Sequence, residues 1–331
     1  MNLFKNNPWK KSYNQYIFIL VSITQAIIVI ALEGVLYGMI VNNSSIQEQK
    51  NPVGARSTAD FNKADGTVRS VQIYMILFML SQVFQVIFII ESVYFKNILQ
   101  IFAILVFNLM TMIYAIFQYT QVQSIIIQDK IRLIVGLLAG FIALGQLLLF
   151  FFGYKLYQEF GWYIYKVLGA DIGMRRMLIY YYTFLMALKF SIFFAIGFLT
   201  QFLVFSLYDS TTELATTVAA FPIALVIIYL GVIGVQRENK YLLGFTLGGF
   251  VLVMAYFAYK IVRFWTRDLY NEYKYFLTWF AVLALLDIVG SFIFGTLCFR
   301  NFDKGLKNYI HDKGLKPTET KEEGVIDLAD D

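Results

Sequence analysis

The stretch "YIFILVSITQAIIVIALEGVLYGMIV", Tyr16 to Val41, decides the fold. As a helix rising 1.5 Å per residue it reaches about 39 Å, more than the roughly 30 Å hydrocarbon thickness of a bilayer. Inside lipid every backbone N–H and C=O must be satisfied within the segment, so a helix is the form available to a lone apolar run. Lys5, Lys10 and Lys11 precede it. The run is too long for a signal-peptide core and lacks a small-residue cleavage site, so it reads as a retained signal-anchor helix.

Comparable runs follow along the sequence. They are Val71–Ile90, Asn97–Phe117, Ile131–Tyr154, Ile179–Tyr208, Thr217–Gln236, Tyr241–Val262 and Tyr275–Phe299. The expected fold is an all-α polytopic transmembrane bundle of about eight helices, with seven as the competing count. Residues 1–300 form the bundle in this reading. Residues 301–331 end in "KPTETKEEGVIDLADD" and read as a disordered acidic tail, having no apolar surface to bury.

Composition agrees. Of 331 residues 59% are hydrophobic and 15% charged, with a mean hydropathy of +0.64, whereas a soluble domain carries about 25% charged residues. Cys298 is the sole cysteine and His311 the sole histidine. An intramolecular disulfide, a cysteine zinc site and a histidine-cluster metal centre are therefore excluded. No cofactor is expected, and no basic block points to nucleic acid.

Lysine and arginine favour the cytoplasmic side of a membrane. With eight spans, 16 of the 27 fall on the side that carries both termini. The expectation is cytoplasmic N- and C-termini. Overlapping sequons at Asn42 and Asn43 then lie in the first lumenal loop, close to the membrane.

The segment "YQEFGWYIYKVLGADIGMRR", Tyr157–Arg176, joins the fourth and fifth spans. Leu156, Tyr157, Phe160, Tyr163, Ile164, Val167 and Leu168 recur at helical spacing, and Gly169 and Asp171 suit a helix stop and a new cap. The pattern predicts a cytoplasmic juxtamembrane amphipathic helix over Lys155–Leu168. Trp162, Lys166, Asp171, Arg175 and Arg176 form its candidate surface for anionic lipids or a cytoplasmic partner protein. A plain structural elbow between two spans is the competing reading.

"EFGWYIYKVLGADIGMRRMLIYYYTFLMALKFSIFF", with "GFLTQFLVF" and "GVQRENK" after it, resembles an uncharacterised family of fungal Golgi-apparatus multi-pass membrane proteins. The resemblance rests on an FGW-x-IYK-x-x-GAD block followed by a tyrosine cluster and LKF. It implies a Golgi membrane and many helices, and brings no activity with it. In that pattern an acidic residue is expected after LKF, where this sequence has Ser191.

Glu33, Lys189 and Asp287 fall within spans, where each costs about 2.5–3.5 kcal/mol unless it faces protein or water. Lys189 and Asp287 come out at similar depth, which predicts either an ion pair or a midplane site for a charged solute or proton. Gln25, Gln82, Gln85, Asn108, Gln146 and Gln201 are expected to hydrogen-bond between helices, and Gly136–Gly140 and Gly244–Phe250 to mark close helix contacts. No nucleophile motif, HExxH or phosphate-binding glycine loop is present. Three functions follow as expectations: a non-catalytic Golgi membrane protein that organises membrane or binds lipid or partners, an ion-coupled transporter using the midplane charges, and a seven-helix receptor-like protein.

Overall fold

A computed structural model describes residues 13–50, 58–125, 129–168, 172–206, 211–266 and 274–304. They form eight α-helices: α1 (Tyr13–Lys50), α2 (Thr58–Tyr94), α3 (Ile98–Ile125), α4 (Asp129–Leu168), α5 (Ile172–Ser206), α6 (Thr211–Gln236), α7 (Lys240–Thr266) and α8 (Lys274–Arg300). Each is long and apolar enough to cross a membrane, so the described residues hold eight candidate spans, the expected number.

The helices overrun the apolar runs. α1 continues through Asn42 and Asn43 to Lys50, and α2 begins at Thr58, within the segment expected to be a loop. Hydropathy marks the lipid-contacting length of a helix, and a polar extension in water leaves no such mark. The Lys155–Leu168 segment is likewise the last part of α4 and not a separate interfacial helix. Leu156 and Phe160 explain this, being buried in the bundle with Phe18, Val93 and Ile101.

Helices α1–α4 pack as one four-helix bundle and α5–α8 as another, each closed by contact of its first helix with its last. The second turn of each bundle is built alike. Lys96 and Glu238 adopt positive φ (51° and 52°), and the next residue's N–H returns to a carbonyl five residues back: Asn97 to Ser92 at 2.9 Å, Asn239 to Gly234 at 2.9 Å. This is a Schellman stop. Asn97 Oδ1 then accepts from the Leu99 N–H (3.1 Å), and Asn239 Oδ1 from the Tyr241 N–H (3.0 Å), so each asparagine caps the following helix. Sequence inspection showed no tandem repeat, yet the halves share connectivity and this turn.

On α1 the buried stripe reads Phe18, Ser22, Gln25, Val29, Glu33, Leu36 and Ile40, while Tyr16, Leu20, Ile27 and Val35 are exposed. Spacing of three and four is that of a helix seam. The outward face is apolar because lipid covers it, and polar groups collect inside, where they find partners. The halves meet where α2 and α3 touch α5. Five phenylalanines fill this seam: Phe84, Phe88 and Phe107 against Phe190 and Phe193, with Phe84–Phe193 centroids 4.9 Å apart and Phe88–Phe190 4.8 Å. Aromatic pairs of this kind add about 0.5–1.5 kcal/mol each beyond their area.

Gly136 and Gly140 face open space and form no close contact. Gly145 is the tightest of the described α4 glycines, where an added Cβ would lie 2.1 Å from Gln25 Oε1. In Gly244–Phe250 the close approach is at Gly249, against Ile227.

Candidate functional site

The polar groups inside the bundle gather in separate places. In the α1–α4 half, Gln25 Nε2 donates to Gln82 Oε1 (3.4 Å) and Asn108 Oδ1 (2.8 Å), and Asn108 Nδ2 donates to Gln146 Oε1 (2.7 Å). One amide from each helix thus joins a single network, as expected for these four residues. Gln85 and Gln201 are also buried, but no side-chain partner is found for them among the described residues.

Glu33 lies eight positions, about 12 Å, further along α1. It is wholly buried and accepts from Gln118 Nε2 at 2.9 and 3.2 Å. An apolar layer including Val29, Phe78, Ala115 and Leu138 separates this rung from the amide network. Glu33 therefore stays in the first half and does not join the other two charges.

Lys189 does not pair with Asp287. Its ammonium is bonded to Glu91 of α2, across the seam. Glu91 also accepts from Gln100 Nε2 (3.2 Å). The apolar run stops at Ile90 and so leaves Glu91 in a loop on paper, but α2 continues to Tyr94 and holds Glu91 against α5. Lys189 and Asp287 do lie at similar depth, since Ser191, two residues or about 3 Å along α5 from Lys189, bonds Asp287; it is the rotation of α5 that gives the ammonium to α2.

Asp287 takes a different partner. Ser191 Oγ donates to Asp287 Oδ2 at 2.6 Å. Ser191, noted in the sequence only as the residue in an expected acidic position, thereby joins α5 to α8. Two apolar recesses lie between the helices, and Ser191 lines the smaller of them. One of about 450 Å³ lies on the seam between α2, α3, α5 and α8, with Phe78, Ala103, Phe107, Phe190, Phe280 and Leu283 among its walls. The other, about 250 Å³, lies within α5–α8 and includes Ser191, Phe198, Ala224 and Phe250. Among the described residues no charged side chain lines either recess. Recesses are shapes between helices, invisible to a one-dimensional reading.

Of the candidate interfacial surface, Arg175 and Arg176 are exposed at the start of α5. Trp162 and Lys166 lie in the last turns of α4, with side chains outside the described set, and Asp171 lies outside the described residues. Among the described residues no three His, Cys, Asp or Glu side chains converge as a metal site would require.

No protein-family model matches the chain, and no solved structure matches it. Among curated proteins it is similar to a Schizosaccharomyces pombe protein described as "UPF0658 Golgi apparatus membrane protein". The two are 26% identical over 293 residues, which cover 78% of this chain and 83% of the relative. Together with eight membrane-length apolar helices, that similarity supports an integral, multi-pass membrane protein of the Golgi apparatus.

Proposed function

We propose that this protein is a non-catalytic Golgi membrane protein whose role is to hold a membrane lipid between its two four-helix halves, with both termini in the cytosol. The observation that carries the reading is the seam recess of about 450 Å³, walled by phenylalanine, leucine and methionine side chains. Its α3 wall runs from Phe102 to Tyr114, about 18 Å at 1.5 Å per residue, a length suited to an acyl chain. Because α2, α3, α5 and α8 are all membrane-length apolar helices, hydrocarbon is the material at hand to fill it.

An ion-coupled transport role draws less support. It calls for charges that converge on one site, whereas Glu33, Lys189 and Asp287 are held by Gln118, Glu91 and Ser191 in three places.

Native mass spectrometry of the detergent-purified protein tests the proposal. The wild type should retain lipid through delipidation, and Ala103→Trp, which fills the seam recess, should lose it while remaining folded. Ala224→Trp, in the other recess, should retain it. Equal retention in wild type and Ala103→Trp would overturn the reading.

A further inference from the structure

We infer that Ser22, Gln82 and Gln85 form an internal water-binding site between α1 and α2, inside the first four-helix half. Consecutive spans run antiparallel, and Gln25 Nε2 of α1 meets Gln82 Oε1 of α2. Ser22 lies three residues before Gln25 and Gln85 three after Gln82, so the same register sets Ser22 opposite Gln85. That register holds on both sides: Phe18 packs with Ile89 in one apolar cluster, and Val29 with Phe78 in another. Two polar rungs are thus sealed between two apolar layers. Each apolar layer carries a phenylalanine, whereas the Ser22–Gln85 level pairs a serine with an amide and leaves more room.

The hydrogen-bonding groups on these rungs are incompletely used. Ser22 Oγ, Gln82 Nε2 and both polar atoms of the Gln85 amide are buried with no protein partner among the described residues. Gln25 is placed otherwise: its Nε2 serves Gln82 and Asn108, and its Oε1 is turned to α4 at Gly145. Buried polar atoms are nearly always hydrogen-bonded, to protein or to ordered water. Ser22, Gln82 and Gln85 are each 1% exposed and line neither apolar recess, so lipid does not reach them. Neither rung carries a charge that would hold an ion. The groups offer donors and acceptors together, and a water molecule matches both. Three residues rise about 4.5 Å along a helix, more than one hydrogen bond of about 2.8 Å spans. Two such bonds through a single water oxygen cover that step.

X-ray radiolysis of the full-length protein in nanodiscs, in water carrying a heavy oxygen isotope, tests the site, because radicals made from a bound water oxidise the side chains beside it. Phe18 and Ile89 should be labelled well above Phe184 and Ile131, which are of the same types and equally enclosed in apolar clusters. The double variant Ser22→Ala and Gln85→Leu replaces the polar groups by apolar ones of similar shape, a change that a folded core tolerates. It should lose that excess while Phe184 and Ile131 stay as they were. Equal labelling of Phe18 and Phe184 in the wild type would overturn the inference, and would mean that Ser22 and Gln85 bond to each other directly. An excess that survives the double variant would overturn it as well, since other groups would then hold the water.

Discussion

Lys189 of α5 is paired with Glu91 of α2, so one charge from each four-helix half meets at the phenylalanine seam. Both side chains are partly accessible, about a third exposed, and the ammonium also lies 5.8 Å from the Phe88 ring centroid. Removing one member leaves the other charge in an apolar setting. Lys189→Met should therefore destabilise the protein by about 1–3 kcal/mol, below the cost for a fully buried pair because of the exposure. Adding Glu91→Gln should restore most of that loss. Thermal unfolding of the single and double variants in one detergent checks it, and an additive double variant would speak against the pairing.

Glu33 and Gln118 should respond unequally to substitution. Glu33→Gln keeps an oxygen to accept from Gln118 and should cost little. Gln118→Leu deprives a wholly buried carboxyl group of its donor and should cost about 1–3 kcal/mol. Chemical stability of the two variants, compared in the same micelle, gives the order.

Glycines on α4 separate close packing from lipid exposure. Gly145→Leu drives a side chain into Gln25 and through it into the four-amide network, so a loss of about 1–3 kcal/mol is expected. Gly140→Leu meets open space and should leave the melting temperature within a degree or two of wild type, as surface changes do. Equal effects at both positions would place α4 in the wrong rotation.

Much of the architecture was legible in the sequence, and the parts that were not have physical reasons. Eight spans were readable because lipid demands long apolar runs. Helix ends were not: Asn42–Lys50 and Lys155–Leu168 continue helices without the hydropathy that marks a span. Gln25, Gln82, Asn108 and Gln146 were correctly read as interhelical hydrogen-bonding residues, since an amide in a span has few other fates. Their pairing, like that of Lys189 with Glu91 and Asp287 with Ser191, depends on helix rotation and on shifts of a few residues along the axis. Hydrophobic periodicity, which fixes rotation in a soluble helix, is weak when both faces are apolar.

Orientation can be checked separately. With eight spans both ends of the helical region lie on one side, and the proposal puts that side in the cytosol on the strength of the lysine and arginine distribution. Tags at either terminus should be accessible in sealed Golgi vesicles without detergent. Protection of both tags would reverse the orientation, and protection of one would change the number of crossings.

The most direct test of the central claim is to reconstitute the protein with a phospholipid carrying a photoactivatable acyl chain, delipidate it, irradiate, and map the attached lipid. Retained label should concentrate on the seam recess, at Ala103, Val106 and Leu283, and vanish in Ala103→Trp. Label spread equally over outward-facing residues such as Leu147 and Phe150 of α4, and unchanged by Ala103→Trp, would contradict a lipid held between the two halves.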